Sequence, residues 1–185
     1  MIRAFRWLAP LALTLLVAAC DPTTDLDGPL KPMGEFRLGH NIAVARNPTL
    51  APGSLKATEA EWQAAMTKAV ADRFGRYEGD RLYHIGISID GYNLSILDAP
   101  LLPTPKPILI ITASIWDDAL GRKLNAEAKQ LTVIGGTLAG TGVAPSREEQ
   151  MANLSASAAK AVQNWLLENP QWFQPGGVDA AAPAN

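Results

Sequence analysis

The chain has 185 residues, a formal net charge of −2 and a single cysteine. Such a length suits one domain with its own hydrophobic core, and one cysteine excludes an internal disulfide. The sequence contains no run of lysines or arginines, which argues against a nucleic-acid-binding surface.

Residues 1–20 have the parts of a secretory signal peptide. Two arginines, Arg3 and Arg6, precede an uncharged apolar run, which is too short to cross a bilayer because a spanning helix needs about 20 apolar residues. We expect residues 1–19 to be removed. The mature chain then holds 166 residues, with 14 basic residues against 18 acidic ones and a net charge of −4.

The end of this segment, Val17-Ala18-Ala19-Cys20, resembles the lipobox of bacterial lipoprotein precursors. The resemblance implies cleavage between Ala19 and Cys20, and a covalent diacylglycerol and acyl lipid on Cys20 as the only added group. Several acyl chains anchor a protein firmly, which implies attachment to a membrane that faces the periplasm. Asp21 resembles the inner-membrane retention signal of enterobacterial lipoproteins and favours that membrane, with the outer membrane left open.

Residues 20–34 carry prolines, glycines and aspartates without an apolar period. This composition predicts a flexible tether of roughly 20 Å that holds the folded part just off the membrane surface. A single domain is expected over residues 35–173. Residues 174–185 are rich in glycine, alanine and proline, and they predict a disordered tail.

Residues 35–46 have a two-residue apolar period, which predicts a half-buried strand. The apolar positions of one parity are Phe36, Leu38, Ile42 and Val44. The same parity directs His40 inward. The capping-box pair Thr58 and Glu61, followed by apolar residues at helical spacing, predicts an amphipathic helix that stops at Gly75.

Residues 82–97 alternate apolar and polar side chains, and the parity flips at Asp90-Gly91. A hairpin with a two-residue Asp-Gly turn fits this pattern, and so does a single strand with a bulge at Gly91. We favour the bulged strand, because Asn93 and Ser95 before a proline-rich loop make a poor second strand. The hairpin stays open as the alternative.

Residues 108–116 are apolar on both parities, which predicts a central strand covered on both faces. A tight connection over residues 117–121 and alternation over residues 122–134 predict a hairpin. Ser146 and Glu149 form a second capping box, which begins an amphipathic helix that ends at Asn169.

This order of elements, strand, helix, three strands and helix, predicts an α+β fold. We expect a mostly antiparallel sheet of about four strands with both helices on one face. The other face of the central strand would then carry Leu109, Ile111 and Ile115 and would need a cover. The proline-rich loop, the Trp172-Phe173 pair or a partner protein could supply it.

Four apolar residues in connecting segments are candidate partner contacts. Leu101 and Leu102 lie in a proline-rich loop that either binds a partner or serves as a spacer. Trp172 and Phe173 follow the second helix and either fold back over the core or stay exposed as an anchor.

The sequence shows no pattern of catalytic or metal-binding residues. His40 and His84 lie within strand patterns, and there is no cysteine ligand or His-x-x-x-His pair. The glycine-rich residues 135–142 lack the lysine of a phosphate loop. Asp117 and Asp118 are adjacent and are explained by a turn. We therefore expect a protein that is not an enzyme and holds no metal.

The hairpin from Ile115 to Arg122 and the order of elements are similar to those of small periplasmic lipoproteins of envelope-assembly and ABC-transport auxiliary type. This fold-level resemblance implies a non-catalytic accessory subunit that docks to a cell-envelope complex. A second hypothesis is a carrier or sensor of a small apolar, lipid-like ligand held between sheet and helices.

Overall fold

A computed structural model describes residues 24–95, 106–135 and 145–175. In these ranges it has an α+β fold in which two helices pack on one mixed, mostly antiparallel sheet of six strands. The strands are β1 Phe36–Val44, β2 Thr49–Leu50, β3 Arg81–Asn93, β4 Ile108–Asp117, β5 Arg122–Lys123 and β6 Lys129–Ile134, and the helices are α1 Glu59–Phe74 and α2 Arg147–Leu167. The predicted fold class is confirmed, and the sheet exceeds the predicted four strands because β2 and β5 are two-residue pieces.

Strands β3 and β4 form the centre of the sheet and run antiparallel. Strand β1 pairs with β3 in parallel, and α1 supplies the crossover that a parallel pair requires. Strands β5 and β6 both pair with β4, so the predicted hairpin is present but interrupted.

Both helices begin at the predicted capping boxes. The backbone N–H of Thr58 donates to the Glu61 carboxylate at 2.7 Å, and Ser146 and Glu149 form the same bond at 2.7 Å. These caps satisfy N–H groups that have no partner inside the helix. In the described part of the chain, no helix has the length and apolar character that a membrane span requires.

The core lies between the sheet and the helices, on one face of the sheet. The ring of Phe36 in β1 stacks on Tyr83 of β3 at 5.4 Å and meets the edge of Phe173 at 5.5 Å. Trp62 of α1 packs against Tyr92 of β3 at 5.0 Å. These large aromatic side chains fill the space between the two layers.

Strand β4 turns toward the helices the face that we expected to be uncovered. Leu109, Ile111 and Ile115 are fully buried beneath the helices. The opposite parity carries the residues that lack this cover, and Trp116 on that side is 44% exposed. A strand with apolar residues on both parities does not tell which parity faces the helices.

Strand β3 is one continuous strand, which confirms the bulged strand and excludes the hairpin. Its pairing with β4 shifts register between Ile89 and Gly91. The extra residue, Asp90, points to the face opposite the helices, where it accepts a hydrogen bond from the Thr112 hydroxyl. The shift returns Tyr92 to the core.

Strand β1 contains a bulge that was not predicted. Its pairing with β3 shifts between Leu38 and Asn41, so Gly39 and His40 together lie opposite one residue of β3. A one-residue slip exchanges the faces of all later side chains. Ile42 is consequently 59% exposed, His40 is exposed and Ala43 is buried. The predicted inward parity is therefore wrong beyond Leu38.

The predicted tether is bound to the domain over the residues that the structure describes. A short 3-10 helix spans Thr24–Leu26, and the carboxylate of Asp25 forms an ion pair with Arg73 of α1 at 2.8 Å. The guanidinium of Arg76 donates to the carbonyl of Gly28 at 2.7 Å, and Met33 is buried. The folded unit therefore includes residues 24–34, which corrects the predicted boundary.

Candidate functional site

The outer sheet face is the face opposite the two helices. Its residues on the two central strands are Leu82, His84, Gly86, Ser88, Asp90, Gly91 and Asn93 of β3, and Ile108, Ile110, Thr112, Ser114 and Trp116 of β4. These positions include no lysine or arginine, whereas a solvated sheet face is normally polar and charged. Such a surface is typical of a contact site.

A trough runs along this face. One end is a cavity of about 360 Å³ between β1 and β4, with Ile42 and Trp116 among its lining residues. A shallower cavity of about 200 Å³ lies beside it over Gly86, Ser88 and Ser114. At the far end, near Ile110, a third cavity has a volume of about 430 Å³. The middle of the trough is open because Gly86, Ser88 and Ser114 have short side chains or none.

Two imidazoles and a carboxylate lie at the Trp116 end of the trough. The Nε2 atom of His84 lies 2.9 Å from Oδ1 of Asp118, and the backbone N–H of His40 donates to Nδ1 of His84 at 2.8 Å. Because Nδ1 accepts this hydrogen bond, the neutral ring carries its proton on Nε2 and donates it to Asp118. Both ring nitrogens of His84 are therefore hydrogen-bonded.

The bulge in β1 explains this arrangement. A bulge removes a backbone group from the ladder, and here the N–H of His40 finds its acceptor in the side chain of His84. Gly39 permits the approach, since a Cβ atom at that position would lie 2.6 Å from Nδ1 of His84. His84 thus completes the pairing of β1 with β3.

This geometry limits the chemistry of His84. A general base or a metal ligand needs a free nitrogen lone pair, and His84 would have to release the N–H of His40 to provide one. Among the described residues, no group of three or more histidine, cysteine, aspartate or glutamate side chains is placed to hold a metal ion.

Asp117 and Asp118 point in opposite directions at the end of β4. Asp117 is buried, pairs with Arg81 at 2.6 Å and accepts from the N–H of Leu120 in the turn. Asp118 is 56% exposed through its side chain and faces the trough. The turn explains both positions, as predicted, but the buried ion pair was not foreseen.

The other predicted site residues do not meet in the trough. Phe173 is 1% exposed and packs on Tyr83 at 5.0 Å, so it belongs to the core and is not a surface contact. Trp172 is partly buried, and its carbonyl accepts from the Tyr83 hydroxyl at 3.0 Å. The pair therefore folds back over the core. The remaining predicted residues, Ala19, Cys20, Leu101 and Leu102, lie outside the described residues.

Ile42 and Trp116 are the surface residues that sequence reasoning missed. Within β4, the parity of Trp116 also includes the hydroxyl residues Thr112 and Ser114, whereas the opposite parity is apolar up to Ile115. This difference was a usable signal for the outer face. Ile42 had no such signal, because its orientation depends on the bulge.

The fold and the trough define a class of protein: a small α+β domain with one sheet face covered by helices and the other open. No protein-family model matches the sequence, and the comparison with curated proteins finds no match.

Several solved structures are similar to this chain. A candidate lipoprotein from Caulobacter crescentus CB15 is 13% identical, with 78% of this chain and 93% of that chain covered and a TM-score of 0.37. Protein XCC0632 from Xanthomonas campestris, of family DUF330, is 15% identical, with coverages of 77% and 92% and a TM-score of 0.46. The hypothetical protein CT253 from Chlamydia trachomatis is 9% identical, with coverages of 75% and 100% and a TM-score of 0.40. Similarities of this extent assign neither a family nor a function.

Proposed function

We propose that this protein is a lipid-anchored, non-catalytic accessory protein of the periplasm that docks to a cell-envelope protein through its outer sheet face. The observation that carries the docking role is the trough, with Ile42 and Trp116 exposed beside it. The anchor is inferred from the lipobox resemblance at Cys20. The lipid on Cys20 would attach the protein to its membrane, and the trough would bind the partner protein.

The chemistry of the trough indicates what kind of segment it binds. The residues described along its three cavities include Asp90, Asp117 and Asp118 and no lysine or arginine. Asp117 is already paired with Arg81, and Lys123 of β5 lies beside the cavities, opposite Trp116. The complementary partner is an apolar protein segment that carries a basic side chain toward Asp118. Burial of apolar surface contributes about 25 cal/mol per Å², so contacts to Ile42 and Trp116 would supply most of the affinity.

A carrier of a small apolar ligand is less well supported. The sequence hypothesis placed such a ligand between the sheet and the helices. That space is occupied by the rings of Phe36, Trp62 and Tyr83, which are fully buried. Docking is therefore the function that the geometry favours.

Site-specific photocrosslinking in intact cells tests this proposal. A photoreactive amino acid replaces Trp116 on the outer sheet face or, as the matched control, Lys68 on the solvent side of α1, where the side chain is 75% exposed. We expect one defined crosslinked protein at position 116 and none at position 68. The same product should disappear when Ile42→Lys is added.

A Cys20→Ala variant controls for membrane attachment. We expect it to leave the membrane fraction and to lose the crosslink at position 116. Equal crosslinking at positions 116 and 68, or a product that survives Ile42→Lys, would contradict docking through the trough.

A further inference from the structure

The N-terminal segment is attached to the solvent side of the helix layer. The carboxylate of Asp25 accepts hydrogen bonds from both Nη atoms of Arg73 in α1, at 2.8 and 3.2 Å, and pairs with Lys160 of α2 at 3.1 Å. Asp25 thus bridges the two helices. Arg73 is 2% exposed, and its guanidinium also donates to Gln163 at 2.9 Å.

This attachment is strong for a surface segment. A buried guanidinium needs a nearby counter-charge, and Asp25 provides one. The hydrogen bond from Arg73 is the main reason that the pKa of Asp25 lies below its ordinary value. The carboxylate is therefore ionised at neutral pH and stays paired.

Leu26 shows which side of the helices the segment occupies. It lies at a furrow of about 210 Å³ between α1 and α2, which is lined mainly by small or exposed side chains of the two helices. Lys68 and Asp72 at this furrow are solvent-exposed. The furrow is therefore on the far side of the helices from the sheet.

Chain length then limits where a lipid on Cys20 can be. Asp25 is five steps along the chain from Cys20, and an extended chain covers at most about 3.6 Å per step, or roughly 18 Å. A helix layer is about 10–12 Å thick, and a sheet with its outward side chains adds about 10 Å. The chain is too short to pass around both layers and place the outer sheet face against the bilayer.

We propose that the helix layer faces the lipid headgroups and that the outer sheet face points away from the membrane. This inference rests on the proposed function, because it requires the lipid on Cys20. The trough is thereby presented to proteins in the periplasm. The membrane-facing surface is the solvent side of α1 and α2 around Lys68, Asp72 and Lys160, beside the attachment point of Asp25.

Fluorescence quenching on vesicles tests the orientation. The mature chain, residues 20–185, is coupled through its single thiol at Cys20 to a maleimide phospholipid and inserted into phosphatidylethanolamine–phosphatidylglycerol vesicles that contain a headgroup-nitroxide lipid. An azide-bearing amino acid replaces Lys68 on the helix layer or Thr132 on the outer sheet face and carries the fluorophore. Both positions are solvent-exposed.

We expect the fluorophore at position 68 to be quenched severalfold more than the one at position 132. The contrast should fall in an Asp25→Asn variant, which keeps the shape of the side chain and removes its charge. Equal quenching at the two positions, or stronger quenching at position 132, would overturn the proposed orientation. An unchanged contrast in Asp25→Asn would overturn the part assigned to Asp25 in setting it.

The chemical coupling separates this inference from the proposed function. Mass spectrometry of the chain purified from cell membranes shows whether Cys20 carries a lipid. An unmodified Cys20 would overturn the anchor in the proposed function, and with it the orientation in cells. A lipidated chain with equal quenching would overturn the orientation alone.

Discussion

His84 bridges the bulge in the pairing of β1 with β3. Its ring accepts the N–H of His40 and donates to Asp118, so one side chain joins two strands and the turn after β4. The bond to His40 replaces a ladder hydrogen bond lost at the bulge. The ring can reach this position only because Gly39 has no side chain.

Substitution of Gly39 tests this dependence. We expect Gly39→Ala to lower the free energy of unfolding by about 1–3 kcal/mol, because its methyl group would overlap the ring of His84. Urea denaturation of the mature chain measures the change. Gly86→Ala is the matched control, since a Cβ atom there meets nothing within 4 Å and should be neutral or stabilising by up to about 1 kcal/mol. Equal losses in the two variants would contradict the role of Gly39.

Glu61 links the beginnings of the two helices. Its carboxylate caps α1 at Thr58 and pairs with Arg147, the first residue of α2. The hydrogen bond from Arg147, followed by those from Thr58, lowers the pKa of Glu61 from 4.5 to about 2. A lowered pKa in the folded state means that this stabilisation is complete above pH 4.5 and is lost as pH falls toward 2.

Glu61 therefore contributes to the pH dependence of the free energy of unfolding. We expect Glu61→Gln to be less stable than the parent at pH 7 and to show a flatter loss of stability between pH 4.5 and 2. Urea midpoints across this range measure both effects. Glu59→Gln serves as control, because Glu59 bonds only to Gln63 among the contacts described. A slope unchanged from the parent in Glu61→Gln would contradict the assignment.

Local patterns predicted the helices well because their signals lie within a few residues. The two capping boxes and the helical apolar spacing identified both starts. The bulge in β3 was also accessible, since the parity flip at Asp90-Gly91 is local. The bulge in β1 was not, because the contact that accompanies it is made to the ring of His84, 44 residues away.

The gap between β5 and β6 is bridged by a side chain. Asn125 accepts from the N–H of Ile115 at 3.0 Å and donates to the carbonyl of Glu127 at 2.7 Å. It also donates to Ala113 at 3.4 Å. The side chain thus binds the backbone of β4 where a continuous strand would otherwise pair.

Removal of this bridge should loosen the hairpin. We expect Asn125→Ala to cost about 1–3 kcal/mol, because it leaves the buried N–H of Ile115 without an acceptor. Hydrogen exchange should show a faster amide at Ile115. Asn125→Asp, measured at an acidic pH where its carboxyl group is protonated, keeps the acceptor and one donor and should retain the protection of that amide. Fast exchange at Ile115 in both variants would show that the carbonyl oxygen of Asn125 is not what protects it.

The composition of the N-terminal segment, residues 24–34, did not predict that it binds to the helices. Its prolines and glycines predicted a free tether, but one charged residue, Asp25, binds it to the buried Arg73. Sequence alone did not reveal the need for this residue, because Arg73 lies 48 residues later and its burial depends on the packing of α1 against α2.

Loss of the Asp25 carboxylate should destabilise the domain. We expect Asp25→Ala to lower the free energy of unfolding by about 1–3 kcal/mol, since the buried guanidinium of Arg73 loses its ion pair and two hydrogen bonds with Asp25. Asp27→Ala, at an exposed position two residues later, should have little effect. Chemical denaturation at pH 7 compares the variants. Equal stability of the two variants would mean that the segment is not held by this ion pair.

At the scale of the molecule, the asymmetry of the sheet determines what the domain can do. One face is sealed by helices and aromatic side chains, and the other carries a trough with exposed apolar residues. The α+β class followed from the order of elements. The order of elements did not predict which face of the sheet is open. Strand β4 is apolar on both parities, and the orientation of Ile42 depends on the bulge in β1.

An exposed contact surface tolerates charge without loss of folding. We expect Ile42→Lys to unfold at the same urea concentration as the parent, within about 0.5 kcal/mol, because its side chain is 59% exposed. The same variant should abolish partner binding through the trough. Val70→Lys is the contrasting variant, because Val70 is fully buried in α1 and its substitution should prevent folding. Marked destabilisation by Ile42→Lys would place that residue in the core instead.

The chain just before β1 meets the chain after α2 at one point. The N–H of Glu35 donates to the carbonyl of Phe173 at 2.8 Å, and the backbone there comes so close that a Cβ atom at Gly34 would lie 2.1 Å from the same oxygen. A protein emerges from the ribosome, or from an export channel, with its first residues leading. The aromatic cluster around Phe36 therefore stays incomplete until residue 173 has emerged. Closure of the aromatic cluster is therefore a late step in folding, and we expect a chain truncated before residue 170 to leave the ring of Phe36 without one of its partners.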